Sequence, residues 1–394
     1  VKSDPWHKTT FHLRSLGADL ALAVPHDLFS TMRIDEGTLL LLEHLPESEP
    51  ASVLDMGCGY GALGLPVAAR FPRARVELVD RDLLAVAASS RNAAENRLDN
   101  VRTRGSLGFR DLPAEPVAYD WILCNVPARI GTPFIEDLLG SGRLLLAAGG
   151  ELRVVVINAL IPVLEQLREK NGWPLVERAR GPRHSIFSLA AGGTASAAPA
   201  DLERLYARDR VELGGLKLQR PFDLGGDDPR RLTSGLPVLI DVLPRQAPRS
   251  VLCFRCGYGA LPLLARARWP EARVVAVDRD LLATTFTRIN AAELGLAGER
   301  LDVRENAHLP DALQPDERFE LVVGELSPSA GERVAEAELE AIATHLEKGG
   351  QALLLSLEKL EREWVRPFAL KKKLSIHPLI AREGYAALRM AGPA

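Results

Sequence analysis

LDMGCGYGALG, residues 54–64, decides the fold of this 394-residue chain. The run SVLDMG reads as a short apolar strand that stops at glycines, and GALGLPVAARF (61–71) reads as a helix. The segment is therefore a strand, a glycine turn and a helix N-terminus in succession. Outward from it the alternation continues: RVELVD (75–80) is a strand, RDLLAVAASSRNAAENR (81–97) a helix and DWILCN (120–125) a strand. A helix is expected after Pro133, then the strand ELRVVVI (151–157) and the helix LIPVLEQLREK (160–170). PLVERARGPRHSIFSL (174–189) predicts two final strands around Gly181 and Pro182. Strands alternating with helices imply a mainly parallel sheet covered on both faces, here closed by a terminal antiparallel hairpin.

The same turn recurs as LCFRCGYGALP (252–262). FPRARVELVDRDLLAVAASSRNAAEN (71–96) matches WPEARVVAVDRDLLATTFTRINAAEL (269–294), and YDWILCNVPARIG (119–131) stands opposite FELVVGELSPSAG (319–331). A period this long is not a solenoid repeat; it marks two homologous domains. AAGGTASAAPA (190–200) has linker composition, so the expected organisation is a domain over 1–189, a linker over 190–200 and a second domain over 201–394. The expected fold is α/β, two tandem Rossmann-like domains.

Apolar residues make up 46% of the chain and charged residues 26%, and the formal charge is −3, so the whole molecule is no basic glove for nucleic acid. The opening VKSDPWHKTTFHLRS lacks the apolar core of a signal peptide. No apolar run reaches the roughly 18–20 residues that span a bilayer. Four cysteines without disulfide-rich spacing fit the cytoplasm. Cys253 and Cys256 form a CxxC, but no second pair completes a zinc site, and no metal is expected.

An open parallel sheet binds ligands beyond the carboxyl ends of its strands. Gly57, Gly59 and Gly61 lie at such an end and let a ligand approach the backbone. Asp80, followed by Arg81, ends the second strand, where a carboxylate can accept hydrogen bonds from both hydroxyls of a ribose. This pattern predicts a nucleoside cofactor, NAD or S-adenosyl-L-methionine. Two features favour the latter. Asp55 is poorly placed beside a pyrophosphate but suits the amino-acid end of a sulfonium, and the fourth strand ends in Asn125-Val126-Pro127.

With VLDMGCGYGALG, Asp80 and NVPARIG, the chain resembles the class I S-adenosylmethionine-dependent methyltransferases. More narrowly it resembles the tandem-domain rRNA guanine-N2 methyltransferases of the RsmC/RlmG type. VPHDLFSTMRIDEGTLLLLEHL (24–45) is similar to their lead-in and VVINALIPVLEQL (155–167) to their closing segment. The resemblance implies methyl transfer to an exocyclic amine of guanine in rRNA of either subunit. Asn125 and Pro127 would be catalytic, with Val126 and Arg129 at the substrate. Asp55, Gly57, Gly59, Gly61, Asp80, Arg81 and Ser106 would hold the cofactor, and Phe29 and Thr38 would border its pocket. The family's Asn-Pro-Pro-Phe/Tyr signature is altered here: Val126 replaces the first proline and Ala128 the aromatic. Methylation of a small molecule or a protein, or RNA binding without catalysis, are the alternatives.

In the second copy Cys253, Phe254 and Arg255 replace Asp55, Met56 and Gly57, and Glu325 replaces Asn125, while Asp278 stands opposite Asp80 and Asn306 opposite Ser106. This copy is expected to be a degenerate scaffold that binds no donor. RPFALKKKLSIHP (366–378), Arg230 and Arg231 would serve an RNA backbone. A monomer is compatible with all of this.

Overall fold

A computed structural model of the chain describes residues 4–28, 32–112, 118–192, 201–222, 224, 233–327 and 329–392. They form two compact units: one runs from His7 to Ala207, and the other from Arg208 onward, together with the segment ending at Trp6.

The first unit opens with a hairpin, β1 (His7–Ser15) and β2 (Ala18–Pro25). Leu16 and Gly17 turn it with φ of 53° and 83°, the left-handed pair that matches the twist of two-residue hairpins. Then follow α1 (Glu36–Glu43), β3 (Ser52–Met56), α2 (Gly64–Arg70), β4 (Arg75–Asp80), α3 (Leu83–Glu95) and β5 (Val101–Gly105). β6 (Tyr119–Asn125), α4 (Thr132–Leu144), β7 (Leu146–Ile157), α5 (Ile161–Asn171), β8 (Val176–Arg180) and β9 (His184–Ala190) complete the sheet. Its order is β5-β4-β3-β6-β7-β9-β8. Pairing is parallel from β5 through β7 and antiparallel at β7–β9 and β8–β9, so the terminal hairpin falls where the sequence predicts. Val53, Leu54, Val76, Leu78, Ile122 and Leu123 are all buried, as strands covered on both faces require.

α2 starts at Gly64, three residues later than the sequence suggests, because residues 60–63 are spent on the turn. Of the expected linker, residues 193–200 lie outside the described residues. Beyond it, α6 (Leu202–Tyr206) goes with the first unit: the fully buried Tyr206 packs against Phe134 at 5.6 Å between ring centroids.

The second unit repeats the plan. Its hairpin is β10 (Ala207–Leu213) and β11 (Leu216–Pro221), followed by α7 (Leu236–Asp241), β12 (Ser250–Phe254), α8 (Ala260–Arg268), β13 (Arg273–Asp278), α9 (Leu281–Glu293) and β14 (Leu301–Glu305). β15 (Phe319–Glu325), α10 (Glu332–His345), β16 (Leu346–Leu357), β17 (Ile376–Arg382) and β18 (Tyr385–Ala391) follow. The order β14-β13-β12-β15-β16-β18-β17 is that of the first sheet, strand for strand. Lys371 and Lys372 end the helix Arg366–Lys372, Lys373 is its left-handed cap, and Lys372 pairs with Glu340 at 2.8 Å. Arg230 and Arg231 lie outside the described residues. Among the described residues no helix is long and apolar enough to cross a membrane.

Candidate functional site

The order β4-β3-β6 places the turn after β3, the end of β4 and the end of β6 side by side, at the point where the chain switches from one half of the sheet to the other. The turn itself is fixed from β4. Gly57 and Cys58 both donate their N–H to the Val79 carbonyl, at 2.8 and 3.0 Å. Gly59 N–H donates to Asp80 Oδ2 at 3.0 Å, and Asp82 N–H donates to Oδ1 at 2.9 Å. Gly57, Gly59 and Gly61 have φ of 79°, 55° and 93°, a region that disfavours side chains. A Cβ built on Gly57 or Gly59 meets nothing within 4 Å, so these two turn an open face outward. On Gly61 it meets Leu65 Cδ1 at 2.5 Å. Gly61 thus serves the packing of α2.

Asp55 is 1% exposed, and its Oδ2 accepts the N–H of Gly64, the first residue of α2, at 2.8 Å. A Cβ on Gly64 would lie 2.8 Å from that oxygen. Asp55 therefore braces the turn from behind. Burial pushes its pKa up to about 7, against the Gly64 hydrogen bond. Asp80 sits at the strand end, with a pKa raised to about 6 by burial and then by the neighbouring charge of Asp82. Arg81 follows it, partly buried.

Ser106 does not present its hydroxyl. The residue is 2% exposed, Oγ donates to the Gly108 carbonyl at 2.6 Å, and it accepts the Asp111 N–H at 3.3 Å. It organises the loop after β5.

At the end of β6 the Asn125 amide is anchored. Nδ2 donates to Asp35 Oδ2 at 2.8 Å and to Thr38 Oγ1 at 3.1 Å. Asp35 Oδ2 also accepts the Gly37 and Thr38 N–H groups and so caps α1. A carboxylate here only accepts, which decides the amide's orientation: nitrogen toward α1, oxygen on the other side. Val126 is 3% exposed and its N–H pairs with the Val155 carbonyl, so its side chain belongs to the core. Pro127, Ala128 and Arg129 are exposed in the turn that follows, closed by Ile130 N–H on the Pro127 carbonyl. Thr38 is buried beside Asn125, and Phe29 lies outside the described residues.

Sequence reasoning missed two residues that hold this arrangement. Asp35 was legible as a helix cap before an apolar run. Asn92 was legible because it recurs as Asn290 in the second copy. Asn92 Nδ2 donates to the carbonyls of Ala23 and Tyr60, and its Oδ1 accepts the Ala23 N–H, tying α3 to β2 and to the glycine turn.

In the second unit the turn is altered as the sequence predicts. Arg255, in the place of Gly57, has φ of 50°, a strained conformation for a side chain. Its guanidinium pairs with Glu338 at 2.7 Å, and both side chains are largely buried. Asp278 keeps the bonding of Asp80, accepting Gly257 N–H at 2.9 Å and Asp280 N–H at 3.1 Å. Glu325, opposite Asn125, is 5% exposed. Cys253 and Cys256 are both buried, and among the described residues no cluster of three or more metal-ligating side chains occurs.

The methyltransferase small domain model matches residues 19–173 and 229–388. Over 169 residues, 42% of this chain and 49% of the relative, the chain is 36% identical to ribosomal RNA small subunit methyltransferase C of Pseudomonas fluorescens. The same-named protein of Pseudomonas entomophila is 40% identical over 137 residues, 34% of this chain and 40% of that one. The chain spans about half the length of the curated relatives it matches. The fold is that of the T. thermophilus 16S rRNA N2 G1207 methyltransferase (RsmC), a structure in complex with AdoMet and guanosine. That match has a TM-score of 0.69 at 22% identity and covers 98% of this chain and 99% of that one. With a matching stretch in each half and the fold repeated strand for strand, the chain belongs to the methyltransferase small domain family.

Proposed function

We propose that the first unit binds S-adenosylmethionine and methylates the N2 amine of a guanine in rRNA, and that the second unit is a degenerate scaffold. The observation that carries this reading is the anchored Asn125 amide beside a turn whose Gly57 and Gly59 face open space. Those two glycines and the Asp80 carboxylate fit a nucleoside: the glycines leave room for it, and the carboxylate can accept both ribose hydroxyls. When bound, S-adenosylmethionine supplies a methyl group made electrophilic by a positive sulfur. Asn125 Oδ1 accepts a hydrogen bond from the exocyclic N–H of the base and so aims the nitrogen lone pair. Asp35 and Thr38 keep that oxygen from rotating away. Alignment of this kind lowers the barrier without a strong base in the site. The names of the Pseudomonas and T. thermophilus relatives support rRNA, of the small subunit, as the substrate.

Titration calorimetry with S-adenosylhomocysteine should report one site per chain, lost in Asp80→Ala; no binding to the native protein overturns the reading. Nucleoside mass spectrometry of rRNA from a deletion strain should show one methylguanosine missing and restored on complementation. Ala128, exposed where the resembled family carries a base-stacking aromatic, favours a second reading, methylation of a small molecule or protein. An unchanged rRNA profile with intact donor binding would select it.

A further inference from the structure

The second unit holds a residue from far away in the sequence. Trp6 lies in the cleft beyond β12 and β13, among Phe254, Asp278, Asn306, His308 and Leu309. Its ring centroid is 4.0 Å from that of His308, with the planes inclined at 38°. The Trp6 backbone N–H donates to Asp4 Oδ1 at 2.9 Å, a local turn that fixes the approach of the segment. Asp278 and Asn306 occupy the positions of Asp80 and Ser106, the ribose-facing strand end and the start of the next loop. The indole is therefore seated where a nucleoside base would lie. His308 Nδ1 is buried and meets no hydrogen-bond partner among the described residues. That nitrogen is open to a ligand donor, which the exocyclic amine of a purine can supply. Burial lowers the pKa of His308, which keeps the imidazole neutral and able to accept. The Arg255–Glu338 pair lines the same cleft, at the altered turn.

We propose that the second unit retains a purine-nucleoside site whose base position is held by the chain's own Trp6. The site takes a nucleoside and not a full methyl donor, because Arg255 and Glu338 fill the side where the donor's amino-acid arm would run. The assignment of the base position rests on the reading of the first cleft as a nucleoside site.

The test removes the first site and then the indole. Adenosine is titrated into Asp80→Ala, Trp6→Gly/Asp80→Ala and Trp6→Phe/Asp80→Ala chains. The Trp6→Gly double variant should bind one adenosine at least tenfold tighter than Asp80→Ala alone. Trp6→Phe should stay closed, and adding Asp278→Ala should abolish the gain. S-adenosylhomocysteine should gain nothing from Trp6→Gly. A folded Trp6→Gly double variant with no gain for adenosine overturns the proposal. Should that variant unfold, the native chain decides: the Trp6 indole N–H resonance, assigned by its loss in Trp6→Phe, should shift in His308→Ala. An unmoved resonance overturns the seating of the indole. Failure of the unaltered chain to bind S-adenosylhomocysteine is a separate result, which sinks the proposed function but leaves the Trp6–His308 experiment intact.

Discussion

Asp35 Oδ2 accepts three hydrogen bonds, from Gly37, Thr38 and Asn125, so one carboxylate couples the start of α1 to the amide at the end of β6. Asp35→Ala frees the Asn125 side chain to rotate. Because the hydrogen bonds of Asp35 run to α1 and to Asn125, kcat should fall by about 10²-fold, while the Kd for S-adenosylhomocysteine stays within twofold; a parallel loss of donor binding would refute the division of labour. Asn125→Ala should show the same split. The glycines separate in a different way. Gly57→Ala places a methyl group on the open face and a side chain at positive φ, which costs about 1–2 kcal/mol of strain. Donor affinity should fall by at least tenfold with little loss of folded structure by circular dichroism. Gly61→Ala pushes against Leu65 instead, so its effect should appear as a lowered Tm. Equal effects of the two substitutions on donor binding would contradict the separation of roles.

At the scale of elements, most of the sheet could be read from period and punctuation, since β3, β4 and β6 carry apolar runs that end at Met56, Asp80 and Asn125. The repeat strengthened every assignment, because two sequences independently supported one topology. The β1–β2 hairpin escaped notice although its alternation and the Leu16-Gly17 turn were visible. What makes it part of the unit is a long-range contact, the bonds from Asn92 and Asn96 of the α3 region to Ala23 and Ala21. Side-chain direction was less legible than position. Asp55, Ser106 and Val126 were found at the correct strand ends, but whether a side chain faces the cleft or the core depends on the register of neighbouring elements. For Asp55 that means the Gly64 N–H nine residues on. Asn92 joins three backbone groups at once, and its counterpart Asn290 does the same with Gln219 and Tyr258. Asn92→Ala leaves those groups unpaired in the interior, each at a cost of about 1–3 kcal/mol. It should lower Tm sharply, whereas Asn96→Ala, at a less buried position, should lower it less. The reverse order would mean that the hairpin is held by something other than Asn92.

For the molecule as a whole, the two units keep one topology but hold carboxyls shifted in opposite directions, Asp55 and Asp80 up and Glu317 down, and pH should distinguish them. In the first unit the folded-state pKa values of Asp55 and Asp80, about 7 and about 6, lie above the ordinary carboxylate value of 3.8. The folded state therefore holds protons that the unfolded chain has released, and stability is lost as pH rises from about 4 through 7. In the second unit burial would raise Glu317, but hydrogen bonds from Arg304 and Arg273 more than offset it and hold the pKa at about 2. That contribution is full above the ordinary value of 4.5 and disappears as pH falls toward 2. Asp55→Asn keeps an acceptor for Gly64 without the charge, so it should raise Tm at pH 8 and leave it nearly unchanged at pH 4. Glu317→Gln should lower Tm at pH 7 and lose that effect as pH approaches 3. Thermal unfolding of the native chain and both variants across this range checks the signs, and a pH-independent difference for either variant would remove its carboxyl from the account. A bound sulfonium brings positive charge to the first unit at the pH where its buried carboxylates cost most. The stabilisation by S-adenosylmethionine should accordingly grow between pH 5 and pH 8, and that growth should be largely absent in Asp80→Asn.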